Sequence, residues 1–201
     1  MKAVALTQRV EVVPSYGERR DCLDQRWPEL LARCNLLPVA VPNNATLVPQ
    51  LLSAARVEGI VLTGGGDLAS YGGKAPERDA TEAALLHLAV ERRIPVIGVC
   101  RGMQAIQHFF GVPLSRVAGH VAPIQEILIE GVRETVNSFH DFGTSESAAE
   151  LEPWAHAHDG IVKAVRHRHL PLIGMMWHPE RMNPFRDSDI ALFRRTFFGA
   201  G

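Results

Sequence analysis

Cys100 lies between two sequence patterns of different period, with a glycine two residues away on each side. Residues 94–99 form an apolar run that predicts a buried strand, and residues 104–110 predict a helix with an apolar face. Gly98 and Gly102 allow a sharp turn from strand to helix, which exposes the sulfur above the sheet. The N-terminus of that helix favours the thiolate, the nucleophilic form of cysteine. The pattern therefore predicts a nucleophile elbow built on sulfur.

A histidine and a glutamate follow a second apolar run. His178 and Glu180 come shortly after residues 172–176, so they too lie at the carboxyl end of a predicted strand. The carboxyl ends of parallel strands meet at one edge of a sheet, where α/β proteins bind ligands. We therefore expect His178 to reach Cys100, and Glu180 to accept the proton of the second ring nitrogen. These three residues predict a catalytic relay.

The other two cysteines fit packing roles. Cys22 and Cys34 lie in or beside residues 21–35, which predict an amphipathic helix, and neither has glycines around it. Cysteine is among the most buried residue types. With one of three cysteines assigned to catalysis, the chain has no convincing disulfide framework, and a reducing compartment keeps the nucleophile active. We expect a cytoplasmic protein.

A glycine-rich turn precedes the elbow. Residues 59–67, GIVLTGGGD, read as a strand followed by three glycines. From the residues alone, this turn can be a flexible connection or a phosphate-binding loop. The phosphate interpretation is the weaker one, because no G-x-x-x-x-G-K-[ST] motif follows and Asp67 adds a negative charge.

These motifs resemble those of the class I glutamine amidotransferases. The resemblance is carried by GVCRGMQ at residues 98–104 and by WHPE at residues 177–180. It implies that cysteine, histidine and glutamate cleave γ-glutamyl amides through a thioester, without a cofactor. It also implies that backbone N–H groups near Gly65 or Gly66 and at Arg101 form the oxyanion hole.

Within that superfamily the chain is similar to the free-standing γ-glutamyl hydrolases, through CRGMQ at residues 100–104, LTGGGD at residues 62–67 and VNSFH at residues 136–140. That segment borders the γ-glutamyl pocket in the family. The resemblance therefore implies that Asn137, Ser138 and His140 hold the α-amino or carboxylate group of the substrate, and that Gln104 bonds the glutamyl head. Ordinary hydrogen bonding at a strand end is the alternative for the three residues of the VNSFH segment.

One sub-branch is closer still. TQRV at residues 7–10 and SYGERRDCLD at residues 15–24 resemble the hydrolases that release glutamate from γ-glutamyl-CDP-amidate during capsule synthesis. Arg9, Arg19 and Arg20 follow the first predicted strand, and a guanidinium group pairs bidentately with phosphate oxygens. We predict that Arg19 and Arg20 bind the substrate. The alternative is that they form ion pairs with nearby carboxylates or face water.

Two other functions stay open. A glutaminase subunit shares the relay but passes ammonia to a separate synthetase, so it needs a docking partner. A non-catalytic binding protein of the same fold is the second, although it has no physical need for an intact relay. The leaving group on the γ-carbonyl is not readable, because loops set that specificity.

Composition and patterning fit one enzyme domain spanning residues 1–201, with 46% hydrophobic residues and a net charge of −1. That balance implies neither nucleic acid nor a membrane surface as a partner, and it leaves a homodimer open. Strands alternating with helices predict a mostly parallel central sheet with helices on both faces, as in flavodoxin-like three-layer folds. An antiparallel region is expected in the C-terminal half, with a hairpin turning at residues 130–131 and a final helix over 187–198. Residues 74–79 and 184–188 are predicted loops.

Several histidines invite a metal hypothesis. Two H-x-H pairs place rings on one face if each pair lies on a strand. No cysteine or carboxylate set completes either pair at the usual spacing, so we predict no metal and interpret them as solvent-facing strand residues. His120 is a weaker candidate for the cleft. The histidines concerned are His120, His156, His158, His167 and His169.

Overall fold

The computed structural model describes residues 1–199. Its centre is one nine-stranded sheet in the order β4-β1-β5-β6-β13-β12-β11-β8-β9. Pairing is parallel from β4 to β13 and antiparallel from β13 to β9. The strands are β1 Lys2–Leu6, β4 Leu36–Ala40, β5 Gly59–Leu62, β6 Val96–Val99, β8 Val121–Ile129, β9 Val132–Phe139, β11 Leu151–Ala157, β12 Val162–His167 and β13 Leu172–Met175.

Five α-helices cover the parallel half on both faces. Alternation along the strands explains this arrangement, because successive side chains point to opposite faces. Val4 and Leu6 pack with α1 and α5, while Ala5 packs with α2, α3 and α4. The helices are α1 Arg26–Arg33, α2 Val48–Ala54, α3 Pro76–Arg92, α4 Arg101–Phe109 and α5 Asp187–Phe198. The predicted three-layer α/β fold is confirmed, and α5 has the predicted bounds.

The antiparallel strands extend the same sheet. β8 and β9 form the predicted hairpin, with Ile129 opposite Val132 across the turn at residues 130–131. β11 joins that hairpin to β12, and β12 lies beside β13. Three strands separate β9 from β13 in the sheet order, yet the side chain of Asn137 near the end of β9 bonds the backbone of His178, so the VNSFH segment lies near His178.

Two small hairpins lie outside the main sheet. β2 Arg9–Val12 pairs with β3 Arg19–Cys22, and β7 Ser115–Arg116 pairs with β10 Phe142–Gly143. The helix predicted from residue 21 was placed too early: it begins at Arg26, and Cys22 ends a strand. Side-chain pairing across the hairpin overrides the helical period there.

The loop predicted at residues 74–79 is also partly wrong. Pro76 opens α3, a position that suits proline because the first helical N–H needs no intrahelical partner. Among residues 1–199 no helix is both long and apolar enough to cross a bilayer.

Candidate active site

Cys100 occupies the turn between β6 and α4, as the sequence predicts. Its backbone takes φ +52° and ψ −106°, a conformation that costs a non-glycine residue about 1–3 kcal/mol. Gly102 makes the tight turn sterically possible, since a Cβ there would lie 2.1 Å from the carbonyl oxygen of Leu62. The thiol is 5% exposed and lies 3.7 Å from the carbonyl oxygen of Phe139. The elbow thus holds the sulfur at the carboxyl edge of the sheet.

His178 and Glu180 lie at the same edge, just beyond β13. Nδ1 of His178 is 2.7 Å from Oε1 of Glu180, and both side chains are buried. A Cβ on Gly64 would lie 2.6 Å from Cε1 of His178 and 3.5 Å from Cβ of Cys100, so the imidazole and the thiol border one point. Within residues 1–199, Nε2 of His178 has no hydrogen-bond partner. The second ring nitrogen is therefore free beside the thiol.

The charges around His178 favour its protonated form. Burial opposes that form, but the neighbouring Cys100 and the Glu180 carboxylate outweigh burial and raise the pKa of His178 to about 9. An imidazole with this pKa keeps a proton at neutral pH when its neighbours are negative. The site therefore favours the imidazolium form of His178.

Asn137 holds the backbone of His178. Its Nδ2 donates to the carbonyl oxygen of His178 at 2.9 Å, and its Oδ1 accepts from the N–H of His178 at 2.7 Å. This reciprocal pair fixes the strand end that carries the imidazole. These bonds fit the alternative, hydrogen bonding at a strand end, and a role of Asn137 in holding substrate stays a prediction.

Ser138 and His140 are also engaged within the protein, through Lys163. The Lys163 ammonium is 1% exposed and donates to Oγ of Ser138 at 2.9 Å and to Nε2 of His140 at 2.7 Å. Nδ1 of His140 contacts the carbonyl oxygen of Phe142 at 2.9 Å, so both ring nitrogens are used. Strand-end bonding again fits better than the predicted substrate contact.

Burial and charge make this network unusual. Burial, helped by the Lys163 charge, lowers the pKa of His140 to about 3, and burial lowers the pKa of Lys163 to about 8. Our sequence analysis did not identify Lys163. The available signal was a single cation inside the apolar run at residues 161–165, IVKAV, which predicts a buried charge.

His120 and Gln104 line the same region. The His120 ring stacks on that of His140, with centroids 4.9 Å apart, and its Nε2 lies 3.0 Å from Oδ2 of Asp159. Gln104 donates from Nε2 to the carbonyl oxygen of Phe142 at 2.9 Å. Its amide nitrogen therefore supports β10. A primary amide carries two N–H donors and one acceptor oxygen, so this bond is compatible with the predicted bond to a glutamyl head.

The glycine turn is held from behind by Arg78, a residue that the sequence analysis missed. Arg78 donates to the carbonyl oxygens of Thr63 at 2.6 Å, Gly64 at 3.2 Å and Gly65 at 2.7 Å. Its Nε donates to Oε1 of Glu82 at 2.8 Å. The i,i+4 spacing on a predicted helix was the signal for that last contact. One buried guanidinium thus holds three successive peptide groups.

Arg101 joins the same cluster from the elbow helix. Its guanidinium contacts the carboxylates of Glu82 and Asp79. Arg78, Glu82 and Arg101 are each 1% exposed. Burial alone would raise the pKa of Glu82, but Arg101 and Arg78 hold it below its ordinary value. Glu82 is therefore an anion that joins the residue after Cys100 to the glycine turn.

The predicted phosphate-binding arginines form ion pairs. Arg19 contacts Glu77 and donates to the carbonyl oxygen of Lys74 at 3.0 Å. Arg20 contacts Glu18 at 2.7 Å, which is one of the pairings that the alternative predicted. A cavity of about 460 Å³ separates the β2–β3 hairpin from the glycine turn, and it is lined by Arg9, Arg19, Lys74, Gly65, Gly66 and Asp67, among others. Arg20 is not among the lining residues.

The two H-x-H pairs do not lie along strands as predicted. His156 is on β11, but His158 lies in the turn beyond Ala157; His167 ends β12, and His169 follows in a bend. In each pair the second histidine lies beyond the end of its strand, so the strand period does not set the placement of the rings, although those of His167 and His169 remain near each other with centroids 6.3 Å apart. Across residues 1–199 no group of three or more potential ligands is placed to hold a metal ion.

Comparison with known proteins identifies relatives over nearly the whole chain. The γ-glutamyl-CDP-amidate hydrolase of Campylobacter jejuni is 29% identical over 194 residues, which cover 93% of this chain and 94% of that protein. The γ-glutamyl-γ-aminobutyrate hydrolase of Escherichia coli is 28% identical over 225 residues, covering 91% of this chain and 86% of that one.

The fold comparison agrees. A glutamine amidotransferase from Thermotoga maritima superposes with a TM-score of 0.64 at 14% identity, covering 89% of this chain and 76% of that one. The Peptidase C26 family model matches residues 3–122 and 119–180, a span that includes Cys100, His178 and Glu180. The chain belongs to the Peptidase C26 family.

Proposed function

We propose that the protein hydrolyses a γ-glutamyl amide and releases glutamate through a thioester on Cys100. The observation that carries the proposal is the buried, unpartnered Nε2 of His178 beside the thiol at the elbow, with Nδ1 held by Glu180. A buried polar atom without a partner is costly unless function uses it. The two γ-glutamyl hydrolases among the relatives support the same chemistry.

The mechanism follows from these positions. His178 holds the thiol proton as an imidazolium, and the Cys100 thiolate attacks the γ-carbonyl carbon. The carbonyl oxygen becomes an oxyanion, which accepts hydrogen bonds from backbone N–H groups at Gly65, Gly66 and Arg101. Collapse breaks the C–N bond, and His178 gives its proton to the leaving nitrogen. His178 then takes a proton from water, whose oxygen attacks the thioester and frees glutamate and the thiol.

We further propose γ-glutamyl-CDP-amidate as the substrate. Support comes from the Campylobacter relative, which matches over 94% of its length, and from the cavity beside the glycine turn. That cavity is lined by Arg9, Arg19 and Lys74, and guanidinium groups bind phosphate oxygens bidentately. On binding a diphosphate, Arg9 and Arg19 would exchange their present carboxylate partners, Glu11 and Glu77, for phosphate oxygens. We place the reaction in the cytoplasm, where reducing conditions preserve the three free cysteines.

Three substrates and two cysteine variants test the proposal. The wild-type protein is incubated with γ-glutamyl-CDP-amidate, γ-glutamyl-aminobutyrate or glutamine, and released glutamate is measured. We expect the highest kcat/KM for γ-glutamyl-CDP-amidate, no turnover in Cys100→Ala and unchanged turnover in the matched control Cys22→Ala. A glutamine-like electrophile should add its mass at Cys100 alone. Labelling at another residue contradicts the relay, and turnover of glutamine only in the presence of a synthetase indicates an amidotransferase subunit.

A further inference from the structure

We propose that Arg78 is a positioning residue that aims the backbone N–H groups of Gly65 and Gly66 at the oxyanion, and that Glu82 ties this turn to Arg101. The inference rests on the proposed function, because it concerns the donors that stabilise the tetrahedral intermediate. It assigns a purpose to a buried ionic cluster that takes no part in the proton transfers.

The geometry of the peptide group carries the argument. A trans peptide is planar, and its C=O and N–H point in opposite directions. Among residues 1–199 the only cis bond is Asn183–Pro184, so the peptides of the glycine turn are trans. Arg78 binds the carbonyl oxygens of Gly64 and Gly65. The N–H groups that share those two peptide planes belong to Gly65 and Gly66, and they must point away from Arg78.

Cys100 and the ionic cluster of Arg78, Glu82 and Arg101 lie on opposite sides of Gly64. The Cβ position of Gly64 borders Cys100 and His178, whereas its carbonyl oxygen turns toward Arg78. Gly65 and Gly66 have φ of +93° and +73°, a backbone region that glycine adopts freely because it has no Cβ. A glycine-rich turn is intrinsically free to rotate its peptide planes. Arg78 removes that freedom by holding three carbonyl oxygens in succession.

The same carboxylate holds the second half of the predicted oxyanion hole. Arg101 supplies its N–H from the first turn of α4, where backbone donors lack intrahelical acceptors. Its side chain contacts Glu82, whose other oxygen accepts from Nε of Arg78. The N–H groups of the glycine turn and the N–H group of Arg101 are thus held in place through one buried anion, Glu82. Preorganised donors are the ones that stabilise charge in a transition state without reorganisation.

Arginine is needed here because of its shape. A guanidinium group presents five N–H donors in a rigid plane, and Arg78 uses three nitrogens on Glu82 and the turn. A lysine keeps the charge beside Glu82 but offers one nitrogen with three donors. Arg78→Lys therefore loosens the peptide planes while retaining the ion pair.

The test compares two reactions of Cys100. Hydrolysis of a γ-glutamyl amide passes through an oxyanion, whereas alkylation by iodoacetamide is a direct displacement at carbon and needs none. For Arg78→Lys we expect kcat to fall roughly 10²-fold with KM changed less than about threefold, since losing one such donor costs 10²–10³ in kcat. The alkylation rate at Cys100 should stay within about twofold of wild type. The matched control Arg166→Lys, at an exposed arginine that contacts two carboxylates, should change neither rate.

Unchanged kcat in Arg78→Lys overturns the inference, as does an equal loss of hydrolysis and alkylation, which would indicate general disruption of the elbow. If Arg78→Lys does not fold, Glu82→Gln tests the same link with the same expectations. If the wild-type protein hydrolyses none of the γ-glutamyl amides, the proposed function fails by itself. Acylation of Cys100 by p-nitrophenyl acetate, which also forms an oxyanion, then decides the role of Arg78.

Discussion

Two buried charged networks flank Cys100, and they balance charge in different ways. On the side of the glycine turn, Arg78 and Arg101 share Glu82, and Arg101 also contacts Asp79, so cations and anions alternate. On the side of β9, the ammonium of Lys163 bonds two neutral acceptors, Ser138 and His140. Burial in the second network lowers the pKa of Lys163 to about 8, although Asp159 and Cys100 act in the opposite direction.

The difference teaches what each network can do. A charge-balanced cluster stays ionised over a wide pH range, because each charge is stabilised by its neighbours. It is therefore suited to holding backbone groups still. The ammonium of Lys163 is bound to neutral groups, and its pKa of about 8 lies close to neutral pH. His140 accepts a hydrogen bond from it and therefore stays neutral. The protein combines a rigid support with a pH-sensitive one on the two sides of a single thiol.

The largest effect should come from removing the shared anion. Glu82→Ala leaves Arg78 and Arg101 buried without their common partner, and breaking a buried ion pair in this way costs about 3–5 kcal/mol. We expect the free energy of unfolding, measured by urea denaturation, to fall by that amount. Glu58→Ala, which breaks an exposed pair with Lys2, should change it by less than about 1 kcal/mol. A small effect of Glu82→Ala would show that the first network is not the balanced support described above.

A pH series on Lys163→Met should separate the two networks. The pKa of Lys163 is about 8 in the folded protein, whereas a lysine in the unfolded chain keeps its ordinary value of 10.5. Between these values the unfolded chain binds more protons, so this lysine makes stability rise with pH. The stability of wild type relative to Lys163→Met should therefore rise by up to about 3 kcal/mol from pH 7 to pH 10.5.

Urea denaturation at several pH values measures this difference. The contribution of His178 runs the opposite way, because its raised pKa makes stability fall as pH rises from 6.5 to about 9, but it is common to both proteins and cancels. If the difference in free energy of unfolding between wild type and Lys163→Met is constant across this pH range, Lys163 behaves like the charge-balanced cluster. The two networks then do not differ in their response to pH.

The smallest effect concerns the contact between β9 and His178. Asn137→Ala removes two hydrogen bonds to the His178 backbone, so the imidazole is held less well. An activation free energy that is about 1.4 kcal/mol higher, because the imidazole is less well positioned, corresponds to a tenfold lower kcat. Steady-state kinetics should show that loss with KM nearly constant. Asn44→Ala, which removes a capping bond to the N–H of Thr46, should leave kcat unchanged, and an equal loss in both variants would argue against a positioning role.

Local signals predicted the sharp turn at Cys100 and the strand ends correctly. Glycines and a change of hydrophobic period mark the elbow around Cys100 and the hairpin turn at residues 130–131, and both signals act over a few residues. The helix predicted from residue 21 failed because Arg19–Cys22 pairs with Arg9–Val12 across a hairpin, and pairing between strands has no helical period to detect.

The roles of polar residues were predicted less well. Ser138, His140 and Asn137 were assigned to substrate, yet each side chain is bonded to another part of the protein. Lys163 and Arg78 were missed, since most of their partners lie 13 or more residues away along the chain. Hydrogen-bond partners at such separations depend on which strands and helices become neighbours.

The amino-acid sequence by itself determined where Cys100, His178 and Glu180, the residues of the proposed relay, lie, each at or just beyond the boundary of a strand. Those features depend on side-chain chemistry and on the short-range period of apolar residues. The tertiary structure alone decided which charges support the thiol from each side. Burial and neighbouring charge depend on packing between distant segments, and these two factors set the balance of the Glu82 cluster and the lowered pKa of Lys163.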